Sequence, residues 1–401
     1  MFKSKHKIDL VILAGGIGSR IKKYLKGSPK PMLKFNNKHF LNYIINNLSK
    51  FNFNKIIILT RYKKNIIHKK FHNKNFNFIN VECISEKKKM GTGGALNLIK
   101  GKVNDFILVN GDTIFDIDLT NLTKNIKNNC LGVLALKRNF NQESKKLNNL
   151  SLKNNFINYD LNGKFMNGGV YFFKKKFLKF IPKGESSLEN DILPKLILKK
   201  KISGKIYDNF FIDIGSKNFL KNVAKLLLKK YYKKAAFLDR DGVINHDFGY
   251  VHSIKNFKFK NGVLTGLKLL TKKNFYIFII TNQAGIGKKI FSINQFKKLH
   301  LILKKKLIEK KIFINDVKFS PYHKQAKLIK FKRDSKFRKP GNLMIESIFK
   351  SWDIKREKSF MIGDKKSDYL AAKKSKLYFE YAEGSLFKQV KKLVSIKFNN
   401  Y

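Results

Sequence analysis

The chain has 401 residues, 43% of them hydrophobic, so two domains with a full core each are the natural division. Its 86 basic against 27 acidic residues give a formal net charge of +59, but the excess is almost all lysine and runs through the whole chain. Lysine, asparagine, isoleucine and phenylalanine share A/T-rich codons, so coding bias suffices to explain it, and neither nucleic acid nor a membrane is expected as a partner.

Two cysteines, Cys83 and Cys130, suggest no disulfide framework and no cysteine-based zinc site. No run of about 18 apolar residues exists, so nothing is expected to span a bilayer. The start "MFKSKHKIDLVILAGG" is basic and then apolar, as a signal peptide is. It also holds Asp9 and enters a Gly-rich loop, which suits a buried strand, and a cytoplasmic protein is expected.

In chain order, "IDLVILAGG", "KIIILT", "DFILVNGD" and "GGVYFF" read as buried strands, with helical patterns such as "KHFLNYIINNLSKF" and "GALNLIKG" between them. A second alternation begins at Ala235 with "AAFLDRDG", "GVLTGLKLLTKKN" and "FYIFIITNQ", and ends in "SFMIGDKKSDYLAAKKSKL". Such alternation predicts parallel sheets with helices on both faces, an α/β chain of two doubly wound domains. The stretch "SKNFLKNVAKLLLKKYYKK" between them is helical and lacks a Pro/Gly/Ser linker. Domains 1–230 and 234–401 are expected, and no internal repeat is evident.

Strand ends carry the chemistry of an open parallel sheet. In "LAGGIGSRIKKYLKGSPKPM", beginning at Leu13 and Ala14, Gly15, Gly16 and Gly18 let main-chain N–H groups approach a triphosphate. Arg20 and Lys30 are placed to neutralise it. The glycine spacing is wrong for a dinucleotide fingerprint, and "PKPM" has no part in one. With "GTGGALNLI", "NGDT" and "FIDIGS", this half resembles the sugar-nucleotidyltransferases over about residues 8–225. The resemblance implies a Rossmann-like (GT-A-like) domain. Gly93 and Gly94 would face base and sugar, Asp112 and Asp213 would hold Mg²⁺, and Asn167, Gly168 and Glu189 would contact the sugar. Many relatives carry a Glu-Lys-Pro element before the Asn-Gly-Gly strand. Here it is missing, and Lys153 or Lys164 is the candidate substitute.

In the second half three apolar runs end in Asp239-Arg240-Asp241-Gly242, in Thr281-Asn282-Gln283 and in Gly363-Asp364-Lys365, with Asp368 four residues after Asp364. Phosphoester hydrolysis needs a nucleophile, an acid for the leaving oxygen, cations and usually Mg²⁺ on oxygen ligands. Asp239 can attack phosphorus, and Asp241 lies close enough to serve as acid and then base. Asp364 can complete the Mg²⁺ site, and Thr281 and Lys339 can bind the phosphoryl group. These motifs, with "TNQAGIGKK" and "RKPGNLM", resemble the haloacid-dehalogenase superfamily and, within it, the heptose 1,7-bisphosphate and histidinol-phosphate phosphatases, over about residues 235–380. That implies a HAD-like Rossmannoid domain. Asp239 would form an aspartyl-phosphate, and Asp239, the Asp241 carbonyl and Asp364 would bind Mg²⁺. Asn282, Arg338 and Lys339 would lie on the substrate side. Many relatives also carry a zinc loop of three cysteines and a histidine. Ser320, Tyr322, Ser335 and Phe337 stand there instead, His323 alone cannot build a tetrahedral site, and no zinc is expected. Packing by Tyr322 and Phe337 is expected to hold the loop.

Taken together, a phosphatase that makes a sugar 1-phosphate supplies the substrate of a nucleotidyltransferase. The first half is most similar to heptose-1-phosphate guanylyltransferases, so GTP, GDP-heptose and a role in lipopolysaccharide or other surface glycans are the expectation. Competing readings are the same chemistries on another sugar phosphate, a histidinol-phosphate-type second half, and one half kept only for binding. Base selection is expected from main-chain geometry around Gly15 and Gly94, and the oligomeric state is left open.

Overall fold

The computed structural model describes residues 7–124, 126–127, 129–138, 149–215 and 217–397. The chain divides into two compact units, Met1–Leu48 with Phe53–Ala224, and Ser49–Asn52 with Lys225–Tyr401. The division falls inside the helix Lys217–Tyr231.

Among the described residues the first unit is built on a ten-stranded sheet. One inner strand, Asp9–Ala14, runs parallel to Lys55–Thr60 on one side and to Phe106–Asn110 on the other. Continuous apolar runs suit strands covered on both faces. The one charge in this strand, Asp9, is fully buried and satisfied: it accepts from Asn54 Nδ2 at 3.0 Å and from the Asn104 N–H at 2.9 Å. Beyond Phe106–Asn110 the sheet departs from the expected parallel order. The strand Phe165–Phe173 runs antiparallel to Phe106–Asn110 and to Gly132–Arg138. The cause is local. Leu150–Lys153 and Phe156–Tyr159 form a hairpin through Asn154 and Asn155, both left-handed at φ 51° and 65°. That is the two-residue turn that asparagine favours, and it reverses the chain. Phe173 anchors the core here, stacked on Phe177 at 3.8 Å between ring centres and packed on Phe106 at 5.7 Å.

The second unit holds a five-stranded sheet that is parallel throughout, as expected from its alternation. Its order is Asp316–Ser320, Tyr276–Asn282, Ala235–Leu238, Phe360–Gly363, Tyr378–Tyr381. The central strand, Ala235–Leu238, is wholly buried. Its Phe237 shares a core cluster with Phe278, Trp352 and Met361. The helix Ile293–Glu309 starts at a full capping box between Ser292 and Gln295, which satisfies two of its first N–H groups. Because the three inner strands point the same way, Asp239, Asn282 and Asp364 emerge at one edge of this sheet. No helix of the described residues is long and apolar enough to cross a membrane.

Candidate active sites

Asp239 follows the central strand of the second unit, and its N–H continues the ladder to the Ile362 carbonyl at 3.0 Å. Its carboxylate is buried and meets Lys339 Nζ at 2.8 Å. The same ammonium reaches Asp368 at 2.5 Å and donates to the Ile280 carbonyl at 2.9 Å. All three N–H donors of Lys339 are thereby committed. Burial pushes the Asp239 carboxyl up to about 7; Lys339 opposes that rise and Asp368 adds to it. Asp239, Asp364 and Asp368 bring carboxylate oxygens within 4.8 Å of one another. Asp364 Oδ1 is buried and accepts no hydrogen bond. Crowded, buried and partly unpaired oxygens fit a hard divalent cation. Asp241 meets that cluster differently. Its side chain is committed to Arg240, Gln283 and Asn245, and the group expected to face a cation is its main-chain carbonyl.

One cleft is lined by Asp239, Asp241, Thr281, Asn282, Arg338 and Lys339, which brings the expected residues together. Thr281 is buried, and its hydroxyl oxygen accepts from Gln283 Nε2 at 2.7 Å, leaving its own proton to donate. Asn282 uses both side-chain atoms on Lys339: Nδ2 donates to the Lys339 carbonyl and Oδ1 accepts from the Lys339 N–H, at 3.0 and 3.1 Å. It holds the Arg338-Lys339 segment in place, a role its sequence position did not indicate. Lys288, His323 and Lys365 also line the cleft and add cationic or polar edge to it.

The loop from Ser320 to Phe337 offers no thiolate, so its residues do not fit zinc. The loop closes by other means. Tyr322 meets Phe331 edge-on at 5.7 Å, and the Arg333 guanidinium lies 4.7 Å over the Tyr322 ring while donating to its hydroxyl at 3.2 Å. The His323 N–H donates to the Phe331 carbonyl at 3.1 Å. Tyr322 is thus part of the closure, as expected. Phe337 instead packs on the core of the sheet, and Phe331 and Arg333 take the place assigned to it.

In the first unit Leu13, Ala14, Gly15, Gly16 and Gly18 line a cleft with Lys30, Asp112, Gly91, Thr92 and Glu86. Gly18 has φ 73°, which L side chains rarely adopt. A Cβ on Gly15 would lie 2.6 Å from Glu86 Oε1, so these two residues share one wall. Lys30 pairs with Asp112 and stands 3.9 Å from Asp213. Asp213 ends the strand Phe211–Asp213, which pairs with Thr113–Phe115 in the register Asp213 with Thr113. Burial raises the Asp213 carboxyl, and repulsion from Asp112 raises it further; Lys30 and, from the turn Ser19–Ile21, Arg20 pull it down. The two aspartates expected to share a cation are therefore neighbours around one lysine.

Gly93 and Gly94 do not line this cleft. Both are buried, both donate their N–H to the Ser186 carbonyl, and a Cβ on Gly94 would lie 2.3 Å from the Gly184 carbonyl. Gly91 and Thr92 face the cleft in their place. Thr92 Oγ1 donates to Glu189 at 2.6 Å and accepts from the Leu188 N–H at 2.8 Å. Asn167 donates to the Tyr171 hydroxyl at 2.8 Å and accepts from the Gly169 N–H at 3.0 Å, which shapes the bulge between Asn167 and Tyr171. Gly168 is required by Phe115, 2.5 Å from where its Cβ would sit. Lys153 and Lys164 are both exposed. Glu86 was missed in the sequence, although its place directly after the strand Ile79–Ser85 was a usable signal. It is buried, and burial raises its carboxyl while the Met90 N–H at 3.1 Å opposes the rise.

Gly242 supports the second cleft most directly. Its φ is 83°, and a Cβ there would lie 2.3 Å from Asp364 Oδ2. Gly242→Ala is expected to push Asp364 aside and lower phosphate release more than about tenfold, which corresponds to about 1.4 kcal/mol. Nucleotidyl transfer by the same sample should stay unchanged. Equal loss of both, measured in parallel, would point to general damage.

Residues 10–145 match the family model described as nucleotidyl transferase, and residues 235–386 match that described as polynucleotide kinase 3 phosphatase. A D-glycero-alpha-D-manno-heptose 1-phosphate guanylyltransferase of Campylobacter jejuni is 33% identical over 213 residues, 52% of this chain and 95% of that protein. A D-glycero-beta-D-manno-heptose-1,7-bisphosphate 7-phosphatase of Rhodopseudomonas palustris is 38% identical over 141 residues, 35% of this chain and 78% of that protein. The corresponding alpha-heptose phosphatase of Photorhabdus laumondii is 37% identical over 142 residues, 35% of this chain and 78% of that protein. The chain belongs in its first half to the heptose 1-phosphate guanylyltransferases and in its second half to the heptose-1,7-bisphosphate 7-phosphatases.

Proposed function

We propose that this chain carries out two consecutive reactions on one sugar. The second half removes the 7-phosphate of D-glycero-D-manno-heptose 1,7-bisphosphate, and the first half joins the resulting 1-phosphate to GMP from GTP. The observation that carries this reading is the repeated arrangement of two aspartates around one lysine beside a cleft, Asp239 and Asp368 about Lys339 and Asp112 and Asp213 about Lys30. The guanylyltransferase relative is named for the alpha sugar, so the alpha bisphosphate is the substrate that serves both halves. The product is an activated sugar suited to transfer into surface glycans such as lipopolysaccharide, and its nucleotide substrate favours a cytoplasmic setting.

In the phosphatase half, a HAD-like Rossmannoid core presents Asp239 to phosphorus from a fixed strand end. Attack forms an aspartyl-phosphate as the bond to the sugar oxygen breaks, and Asp241 gives that oxygen a proton. Water then attacks phosphorus, Asp241 takes its proton, and Asp239 is released. Thr281 donates to the phosphoryl oxygens, and the charge of Lys339 offsets theirs. In the transferase half, a GT-A-like core holds the triphosphate on the Gly15–Gly18 loop. The sugar-phosphate oxygen attacks the α-phosphorus and pyrophosphate leaves, so no protein nucleophile is needed. Lys30 and Arg20 offset the charge of two anions brought together. Mg²⁺ held by Asp112 and Asp213, and by Asp239, the Asp241 carbonyl and Asp364, would supply further positive charge in each cleft.

Glu86 favours GTP among the nucleotides. A buried carboxylate beside the loop accepts hydrogen bonds only, and guanine presents two adjacent donors on its pairing edge, which adenine does not.

The test is a coupled assay on the whole chain with Mg²⁺, the alpha heptose bisphosphate and, in turn, GTP, ATP, CTP, UTP and dTTP. Phosphate, pyrophosphate and sugar nucleotide are followed together. GDP-heptose is expected with GTP; Asp239→Asn should stop phosphate release, and with it transfer from the bisphosphate but not from added heptose 1-phosphate, while Asp112→Asn should stop nucleotidyl transfer alone. Phosphate release without transfer to heptose by any nucleotide would defeat the assignment of the first half. Glu86→Gln should narrow the preference for GTP over ATP by about tenfold or more in the same assay; an unchanged preference would remove Glu86 from base selection.

A further inference from the structure

We propose that Arg240 is a positioning residue of the phosphatase reaction: its guanidinium fixes the Asp241 carboxylate in the cleft and ties it to the segment Asp247–Val251. The inference rests on the reading of Asp241 as the acid and base. Arg240 lies between the two key aspartates in sequence, is 1% exposed, and heads the fully buried side chains by volume. Its Nε donates to Asp241 Oδ1 at 3.1 Å, and its Nη2 lies 2.9 and 2.8 Å from Oδ1 and Oδ2. Nη2 also donates to the Val251 carbonyl at 2.7 Å. Two neutral donors complete the grip. Asn245 Nδ2 reaches Asp241 Oδ1 at 2.9 Å, and Gln283 Nε2 reaches Oδ2 at 2.9 Å while also donating to Thr281. The guanidinium carbon rests 5.4 Å over the Phe296 ring.

Stability is a poor reason for this arrangement. Buried ion pairs are often replaceable by apolar side chains at no loss, and here Arg240 Nη1 is left buried without a hydrogen bond. What the fork does supply is orientation. A carboxylate free to turn about two bonds would sample many directions; with donors on both oxygens its plane is set. The segment on the other side of Arg240 contributes Asp247, Gly249 and Tyr250 to the cleft. One guanidinium therefore aligns the proton-transfer group with the wall the substrate touches. In the reaction Asp241 gives its proton to the sugar oxygen as that bond to phosphorus breaks and the bond to Asp239 forms. It takes a proton from water as the water oxygen replaces Asp239 on phosphorus. Arg240 stays protonated in both steps.

The test separates proton delivery from general damage by the leaving group. The alkoxide of the heptose needs a proton to depart, whereas p-nitrophenolate does not. First-turnover rates on the heptose bisphosphate and on p-nitrophenyl phosphate are compared for Arg240→Met, Gln283→Met and Asp241→Asn of the full chain, with folding checked by thermal melting. Arg240→Met is expected to lower the first-turnover rate on the heptose substrate about 100-fold and that on the nitrophenyl ester little. Gln283→Met should show the same split to a smaller degree, and it decides alone if Arg240→Met does not fold. Equal loss on both substrates, or no loss on either, overturns the inference. If Asp241→Asn itself shows no split, the acid–base reading falls and the inference with it. If Asp241→Asn shows the split and the other two do not, only the inference falls.

Discussion

In each half of this chain one buried or half-buried lysine holds two aspartates that would otherwise repel each other. Lys339 stands between Asp239 and Asp368, and Lys30 between Asp112 and Asp213. Carboxylates taken out of water tend to protonate unless a cation compensates them, and a protonated Asp239 could not attack phosphorus. The surrounding structure serves this balance. In the second unit parallel strands deliver Asp239 and Asp364 to one edge, Asn282 locks the main chain that carries Lys339, and Gly242 leaves room for Asp364. One lysine offsets only one of two negative charges. The remainder is what draws a divalent cation, and with it the phosphate that the cation accompanies.

The architecture of the second half was legible almost throughout, because a parallel sheet buried on both faces writes itself as apolar runs with polar chemistry at their ends. Asp239, Thr281 and Asp364 could be named from that pattern, and Lys339 from the Arg338-Lys339-Pro340 loop ahead of the third run. The first half was less transparent at Phe165–Phe173, where one apolar run looks the same in either strand direction. The sign of reversal was the Asn154-Asn155 pair, a local turn signal easily lost among many asparagines. Gly93 and Gly94 misled for a different reason. A glycine marks a close approach without saying what approaches, and here the main chain at Gly184 and Ser186 approaches. Glu86 and Arg240 show the opposite failure: charged residues whose meaning depends on burial, which a strongly charged sequence hides.

The loop between Ser320 and Phe337 illustrates how one constraint can be met by different chemistry. Metal ligation by thiolates crosslinks a loop at a single point. Tyr322, Phe331 and Arg333 do so by ring contacts and one hydrogen bond, supported by main-chain bonds from His323 and from Leu328 to Gly287. The cleft beside it keeps His323 and Arg338 in place without a thiolate. A loop of this kind suits a chain with no cysteine after Cys130. The two chemistries then share a product and a substrate, so joining them in one polypeptide keeps the two activities in equal amount.

Calorimetric titration of the whole chain with Mg²⁺ tests the central claim most directly, because it asks for the cation that the two lysine-centred pairs imply. Binding in each half is predicted, with Asp364→Asn removing one component and Asp213→Asn the other. A component that survives the substitution in its own half, or a chain that takes up no Mg²⁺ in one half, would contradict the account.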